Sequence, residues 1–308
     1  MGAGGGASKS RTLIIFPGAL GDLICFIPAL RAIGGRHPDT ELELMARFEL
    51  ARFAVGRTPI ARAHSLDRAE VAQLFTVTAD DPGAGREFFG GFARIYSFFA
   101  ADNEQFRRML AKLAHAVSFY PFRPVSDGHV AAGYLRSLDA PAGPALTTHI
   151  DLLPGDVAAA SAILARYGLE PGAFLLILPG SGGRAKNWPA ANFVALAKLL
   201  APRMRALCVL GPAETDLKNV FSAGGITTID ALELGAVAAL AADARVFVGN
   251  DSGVSHLATA AGARGVVLFG PTDPQRWRPL GTVRILQGES LAKLTVEEVA
   301  AAIAGCQS

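Results

Sequence analysis

The chain has 308 residues, 51% of them hydrophobic and 18% charged, with a formal net charge of +2. That length fits about two domains of roughly 150 residues each. The near-neutral charge, with no basic stretch interleaved with aromatics, argues against a dedicated nucleic-acid binder.

Residues 1–10, MGAGGGASKS, read as a disordered tail. Beyond them, short apolar runs alternate with amphipathic segments, the pattern of βαβ units around a parallel sheet. The first half predicts strands over 12–16, 41–45, 60–65, 93–99 and 116–120, and helices over 20–33, 68–75, 102–113 and 125–138. Residues 13–30 are almost wholly apolar, but Pro17, Gly18, Gly21, Asp22 and Pro28 interrupt them. They predict neither a membrane span nor a secretion signal. Residues 139–154 carry three prolines and break the alternation, marking a linker. The second half predicts strands over 173–178, 206–210, 226–229, 245–248, 265–269 and 283–286. Its helices fall at 155–167, 190–200, from 213, 233–241, 253–261 and 295–304. Two α/β halves joined by one linker predict a cleft between them, where sites usually lie. Cys25, Cys208 and Cys306 form no CxxC or Cys/His pattern, which predicts neither a disulfide framework nor a zinc site and suits a cytoplasmic setting.

Four segments carry candidate chemistry. Residues 17–22, PGALGD, run from the first strand into the first helix. Gly18 and Gly21 allow a tight turn and a close approach. Asp22, in apolar surroundings, is a candidate general base. Residues 178–189, LPGSGGRAKNWP, follow the first strand of the second half. There Ser181 and the backbone of Gly182 and Gly183 can cradle a phosphate, with Arg184 and Lys186 to neutralise it. The loop lacks the GxxxxGK[ST] spacing of an NTPase. In the third segment, residues 211–214, Glu214 is placed to meet a ribose or base. The fourth, residues 247–274, reads as strand, polar turn, small-residue helix, strand and turn. It sets Asn250, Asp251, Ser252, Gly253 and Val254 at a helix start, where backbone amides favour a ligand's negative charge. His256 lies four residues after Ser252 on the same helix face. Each has a plainer reading: a capping Asp or Ser, a first-turn Glu, a structural histidine, a solvated loop.

Taken together and in this order, PGALGD with IPALRAI, LPGSGGRAKNWP, GNDSGVSHLATAAG and LFGPTDP resemble glycosyltransferase family 9, the heptosyltransferases of lipopolysaccharide core assembly. The resemblance runs from about residue 11 to residue 281. It implies a GT-B fold of two Rossmann-like doubly wound α/β domains. Residues 11–145 would form the acceptor-binding domain and 146–290 the nucleotide-sugar-binding domain. The helix in 291–308 would pack back on the first. It also implies an inverting reaction with no cofactor and no tightly held metal. The donor would be an ADP-heptose and the acceptor a lipid-linked or oligosaccharide core. By position, Asp22 matches the proposed base and Lys186 the charge partner of the leaving phosphate. Ser181 and Gly182 match the phosphate loop, and Glu214 a nucleoside contact. Asp251, Ser252, Gly253, Val254 and His256 match the donor turn and helix.

Acceptor contacts are expected from Gly18, Gly21, Arg47, Arg57 and Arg62, on the charge they would offer an anionic acceptor. An enzyme of this kind is expected in the cytoplasm, at the inner face of the inner membrane. An epimerase or hydrolase acting on a nucleotide sugar, or a non-catalytic nucleotide-sugar-binding protein, are the alternatives.

Overall fold

In the computed structural model, the structure describes residues 9–76, 83–125, 127–141, 146–183 and 186–306. The chain forms two compact units. The first comprises Met1–Ala19, Pro28–Ser126 and Ala131–Ala142; the second comprises Leu20–Ile27, Asp127–Val130 and Gly143–Ser308. A boundary at residue 145 places Asp22 in the first domain; by contacts, the turn that carries it belongs with the second.

The first unit is built on strands β1 (Ser10–Ile15), β2 (Thr40–Ala46), β3 (Ile60–Ser65), β4 (Arg94–Ser97) and β5 (Val117–Phe119), in the order β3-β2-β1-β4-β5. Every pairing is parallel. The helices of this half of the chain are α1 (Leu20–Arg36), α2 (Phe48–Ala54), α3 (Ala69–Thr76), α4 (Gly83–Gly90), α5 (Glu104–Leu113) and α6 (Val130–Ser137). α5 starts where its cap dictates: the Asn103 side chain accepts from the Phe106 amide at 2.8 Å.

The second unit opens with α7 (Pro154–Tyr167) and β6 (Phe174–Leu178), followed by α8 (Ala190–Leu200) and β7 (Arg205–Leu210). A 3₁₀ turn over Pro212–Leu217 leads into α9 (Lys218–Ala223) and β8 (Thr227–Asp230). Then come α10 (Leu234–Asp243), β9 (Val246–Asn250), α11 (Gly253–Ala260), β10 (Gly265–Phe269), α12 (Pro274–Trp277), β11 (Val283–Gln287) and α13 (Val296–Ala304). The sheet order is β11-β10-β9-β6-β7-β8, again with every pairing parallel. Strands β6, β9 and β10 are buried along their whole length. Helices cover both faces of such a sheet, so its central strands read as continuous apolar runs. The strand order reverses direction between β6 and β9, the place where doubly wound sheets bind ligands.

Several elements differ from the sequence reading. α2, α4 and α12 were not expected, and α6 starts at Val130 rather than 125. The helix expected near 213 is a 3₁₀ turn before α9. The expected tail yields Ser10 to β1, while residues 1–8 lie outside the described residues. The last part of the linker packs into the second unit: Ile150 is buried, and its amide donates to the Ala260 carbonyl at 3.0 Å. α13 lies on α8 and β10 of its own unit, where Val299, Ala302 and Ile303 join the core; it does not return to the first domain.

One charged cluster braces the first sheet. Glu43 on β2 is fully buried and takes a two-pronged contact from Arg11 on β1, at 2.7 and 3.0 Å. His64 on β3 lies 2.6 Å from its other oxygen. Arg11 also stacks over the Phe92 ring, 4.3 Å from its centroid. Burial pushes the Glu43 carboxyl up, but the hydrogen bonds from His64 and Arg11 and their charges outweigh it and hold it at about 2. A depressed folded-state value adds stability above the carboxyl's unfolded range, and that stability is lost as pH falls through the folded value. Glu43→Gln is therefore expected to cost about 3 kcal/mol at pH 7. The gap to wild type should narrow steadily as pH falls toward the folded value. Denaturant unfolding across pH checks this; a cost that does not change with pH contradicts it.

Candidate functional site

The site begins at the switch point. β6 ends at Leu178 and releases the loop that carries Ser181 and Lys186. β9 ends at Asn250, whose side chain is fully buried and spans that loop's two ends. Its Nδ2 donates to the Pro179 carbonyl at 2.7 Å, and its Oδ1 accepts from the Trp188 amide at 3.0 Å. Trp188 is itself buried and donates from Nε1 to the Leu294 carbonyl at 3.0 Å. The loop is thus closed at both ends on β9 rather than left as a solvated excursion.

The next residue adds a charged tie. Lys186 Nζ lies 2.7 Å from Asp251 Oδ2, and Asp251 is buried. Ser181 braces the loop internally: its hydroxyl accepts from the Gly183 amide at 3.2 Å and faces the Gly183 carbonyl and Asn187 Oδ1. Gly182 has open space around its α-carbon. Arg184 lies outside the described residues.

α11 starts directly behind this pair. Ser252 caps it, its Oγ accepting from the Ser255 amide at 3.3 Å. Ser255 Oγ donates back to the Asn250 carbonyl at 2.7 Å, which fixes the turn. The amides of Gly253 and Val254 have no carbonyl one helical turn back, so the helix start offers them, with its positive dipole end, to an anion.

Glu214 lies at the ends of β6 and β7. Its carboxylate is pressed between two glycines: a Cβ on Gly180 would come within 2.6 Å of it, and one on Gly211 within 2.5 Å. Burial pushes its carboxyl up, a hydrogen bond to the Gly211 backbone opposes this, and the charge of Asp216 adds to it. Only glycine at both positions leaves room for an acid here.

The first turns of α1 complete the second unit's contribution. Gly21 and Gly253 meet so closely that a Cβ on Gly253 would stand 2.9 Å from the Gly21 nitrogen. One helical turn along, Cys25 Sγ lies 3.6 Å from His256 Nδ1. Asp22, buried on the same turn, and Asp251 both bear electrostatically on the Cys25 thiol. Burial pushes His256 down to about 4; Asp251 opposes that, while His129 adds to it. The ring is therefore neutral at pH 7. Asp22, Lys186, Asp251, Ser252, Gly253, Val254 and His256 thus belong to one cluster.

The first-unit candidates are placed differently. Gly18 is buried just after β1. Arg47 is exposed at the N-cap of α2. Arg57 donates to the Phe53 carbonyl at 2.9 Å and stacks over the Phe53 ring. Arg62 is exposed on β3, 3.7 Å from Glu41. Asn250 and Cys25 are contributors that sequence reading did not assign. The signal for Asn250 was its position, an amide closing an apolar strand immediately before the capped turn. Among the described residues, no group of three or more His, Cys, Asp or Glu side chains is arranged to hold a metal ion. Likewise, no helix is long and apolar enough to cross a membrane.

Comparison with known proteins places this geometry. The profile of glycosyltransferase family 9 (heptosyltransferase) matches residues 156–306. Lipooligosaccharide heptosyltransferase 2 of Haemophilus ducreyi is 31% identical over 126 residues, covering 34% of this chain and 35% of that one. The matched segments thus span about a third of the length of the curated relatives. The glycosyl transferase family 9 structure from Veillonella parvula superposes with a TM-score of 0.80 at 19% identity, covering 97% of each chain. E. coli ADP-heptose lps heptosyltransferase II superposes with a TM-score of 0.73 at 20% identity, over 96% of this chain and 98% of that one. The fold is GT-B, two Rossmann-like doubly wound units.

The Asn250 clamp makes a direct prediction. In Asn250→Asp the Trp188 amide keeps its acceptor, but the Pro179 carbonyl faces an oxygen with no proton. The expected loss is about 1–3 kcal/mol of stability, together with weaker binding of inorganic pyrophosphate to the Lys186 loop. Denaturant unfolding and calorimetric titration check both; wild-type values in each contradict the clamp.

Proposed function

The chain belongs to glycosyltransferase family 9, and from that premise we propose that it moves a heptose or related sugar from an ADP-sugar to a lipopolysaccharide-core acceptor, with inversion at the anomeric carbon. The observation that carries this reading is the convergence at one sheet edge of Lys186, the start of α11 and the Asp22 turn of α1.

Inversion is a single displacement. Asp22 takes the proton of the acceptor hydroxyl as its oxygen bonds to the anomeric carbon. The bond from that carbon to the diphosphate oxygen breaks, and its electron pair leaves with ADP. The leaving charge develops next to Lys186 and the amides of Gly253 and Val254, donors already in place before reaction. Asp251 holds Lys186 there when no donor is bound, and is placed to accept from sugar hydroxyls once the lysine turns to phosphate. Glu214, at the ends of β6 and β7, is placed for the ribose hydroxyls. His256 is buried and neutral, so it supplies no charge to the phosphates. The acceptor's lipid anchor would bring the enzyme to the cytoplasmic face of the inner membrane.

Asp22→Asn should lower kcat at least about 100-fold while leaving ADP affinity nearly intact. Steady-state turnover with ADP-heptose, alongside ADP titration, checks this; full turnover in the variant removes the base assignment. Lys186→Ala should weaken ADP binding far more than adenosine binding. Equal weakening of both would contradict its phosphate role.

A further inference from the structure

Sequence position alone makes His256 a donor contact; its surroundings give it a different task. The ring is 6% exposed, and both of its nitrogens have partners. Nδ1 faces Cys25 Sγ at 3.6 Å, and the ring also hydrogen-bonds the backbone of Trp277. A neutral ring protonated on Nε2 satisfies both: it donates to the Trp277 backbone and accepts from the thiol at Nδ1. Burial pushes the Cys25 thiol up, so it keeps the proton it donates.

Cys25 lies three residues after Asp22 on α1, on the same helix face. One turn back, the Gly21–Gly253 approach brings α1 and α11 into backbone contact. α1 is therefore held against α11 at two points flanking Asp22. The glycine crossing sets the distance between the helices. It does not set the rotation of α1 about its own axis, because a contact between two residues without side chains has no directional grip. The thiol–imidazole contact supplies that direction.

Resting on the proposed function, we infer that His256 and Cys25 are positioning residues: their contact fixes the rotation of α1 and so aims the Asp22 carboxylate. Neither group touches the donor. Trp277 extends the brace into the turn after β10, because the same imidazole holds that backbone. The brace thus joins three successive pieces of the second unit: α1, α11 and the α12 turn.

The test uses Cys25, which lies outside the donor contacts. Cys25→Val keeps the volume and removes the S–H donor; Cys25→Ser keeps a donor. In Cys25→Val, kcat should fall about ten- to a hundredfold, the scale expected of a small misplacement. ADP affinity and donor KM should stay within about twofold, and Cys25→Ser should recover most of the lost kcat. The ¹³C chemical shift of the Asp22 carboxyl, assigned with Asp22→Asn, should move in Cys25→Val and return toward wild type in Cys25→Ser. Unchanged kcat and an unmoved Asp22 signal overturn the inference. So does a parallel loss of ADP affinity, which would make Cys25 a support of the donor site as a whole. A wild-type protein with no turnover on ADP-heptose overturns the proposed function instead, and the Asp22 signal still decides the positioning role.

Discussion

Two hydrogen bonds made by one buried amide hold the site together. Asn250 donates to Pro179 and accepts from Trp188, so it fixes both ends of the loop that carries Lys186. Leaving either partner unsatisfied in this dry position costs more than the bond itself contributes. An amide is the side chain that fits, because it offers a donor and an acceptor on one rigid plane. A carboxylate lacks the donor, and an apolar residue lacks both.

The charges follow from that fixed frame. Asp22 and Asp251 both act on Cys25, so a diphosphate approaches a region that already holds negative charge. Lys186 and the start of α11 offset it, and the neutral His256 adds nothing of either sign. The Lys186–Asp251 pair holds the cation ready, where a free lysine would sample many rotamers in solvent. Two glycine contacts complete the frame: Gly21 on Gly253, and Gly180 with Gly211 around Glu214. At each, a methyl group would separate elements that must touch.

Much of this was legible in the residue order. The central strands announce themselves because a parallel sheet covered on both faces needs unbroken apolar runs, as in residues 174–178 and 265–269. The capped turn at Ser252 showed itself by the residue types it requires. The short helices did not. α2 begins at Arg47 with no side-chain cap, α4 begins and ends on glycine, and α12 is only four residues long. Partners distant in sequence were equally hidden. Arg62 reads as an available cation until β2 and β3 pair and bring Glu41 beside it. The reach of Asn250 to Pro179 exists only once β6 and β9 lie side by side.

The central claim is that the edge formed by the Ser181 loop, Glu214 and the start of α11 receives an ADP-sugar through its diphosphate and ribose. Calorimetric titration of the wild-type protein with ADP, GDP and UDP under identical conditions tests it most directly. The account predicts saturable binding with a clear preference for ADP. Equal binding of all three, or preference for GDP or UDP, would contradict the ADP-heptose assignment; no binding of any would contradict the site itself.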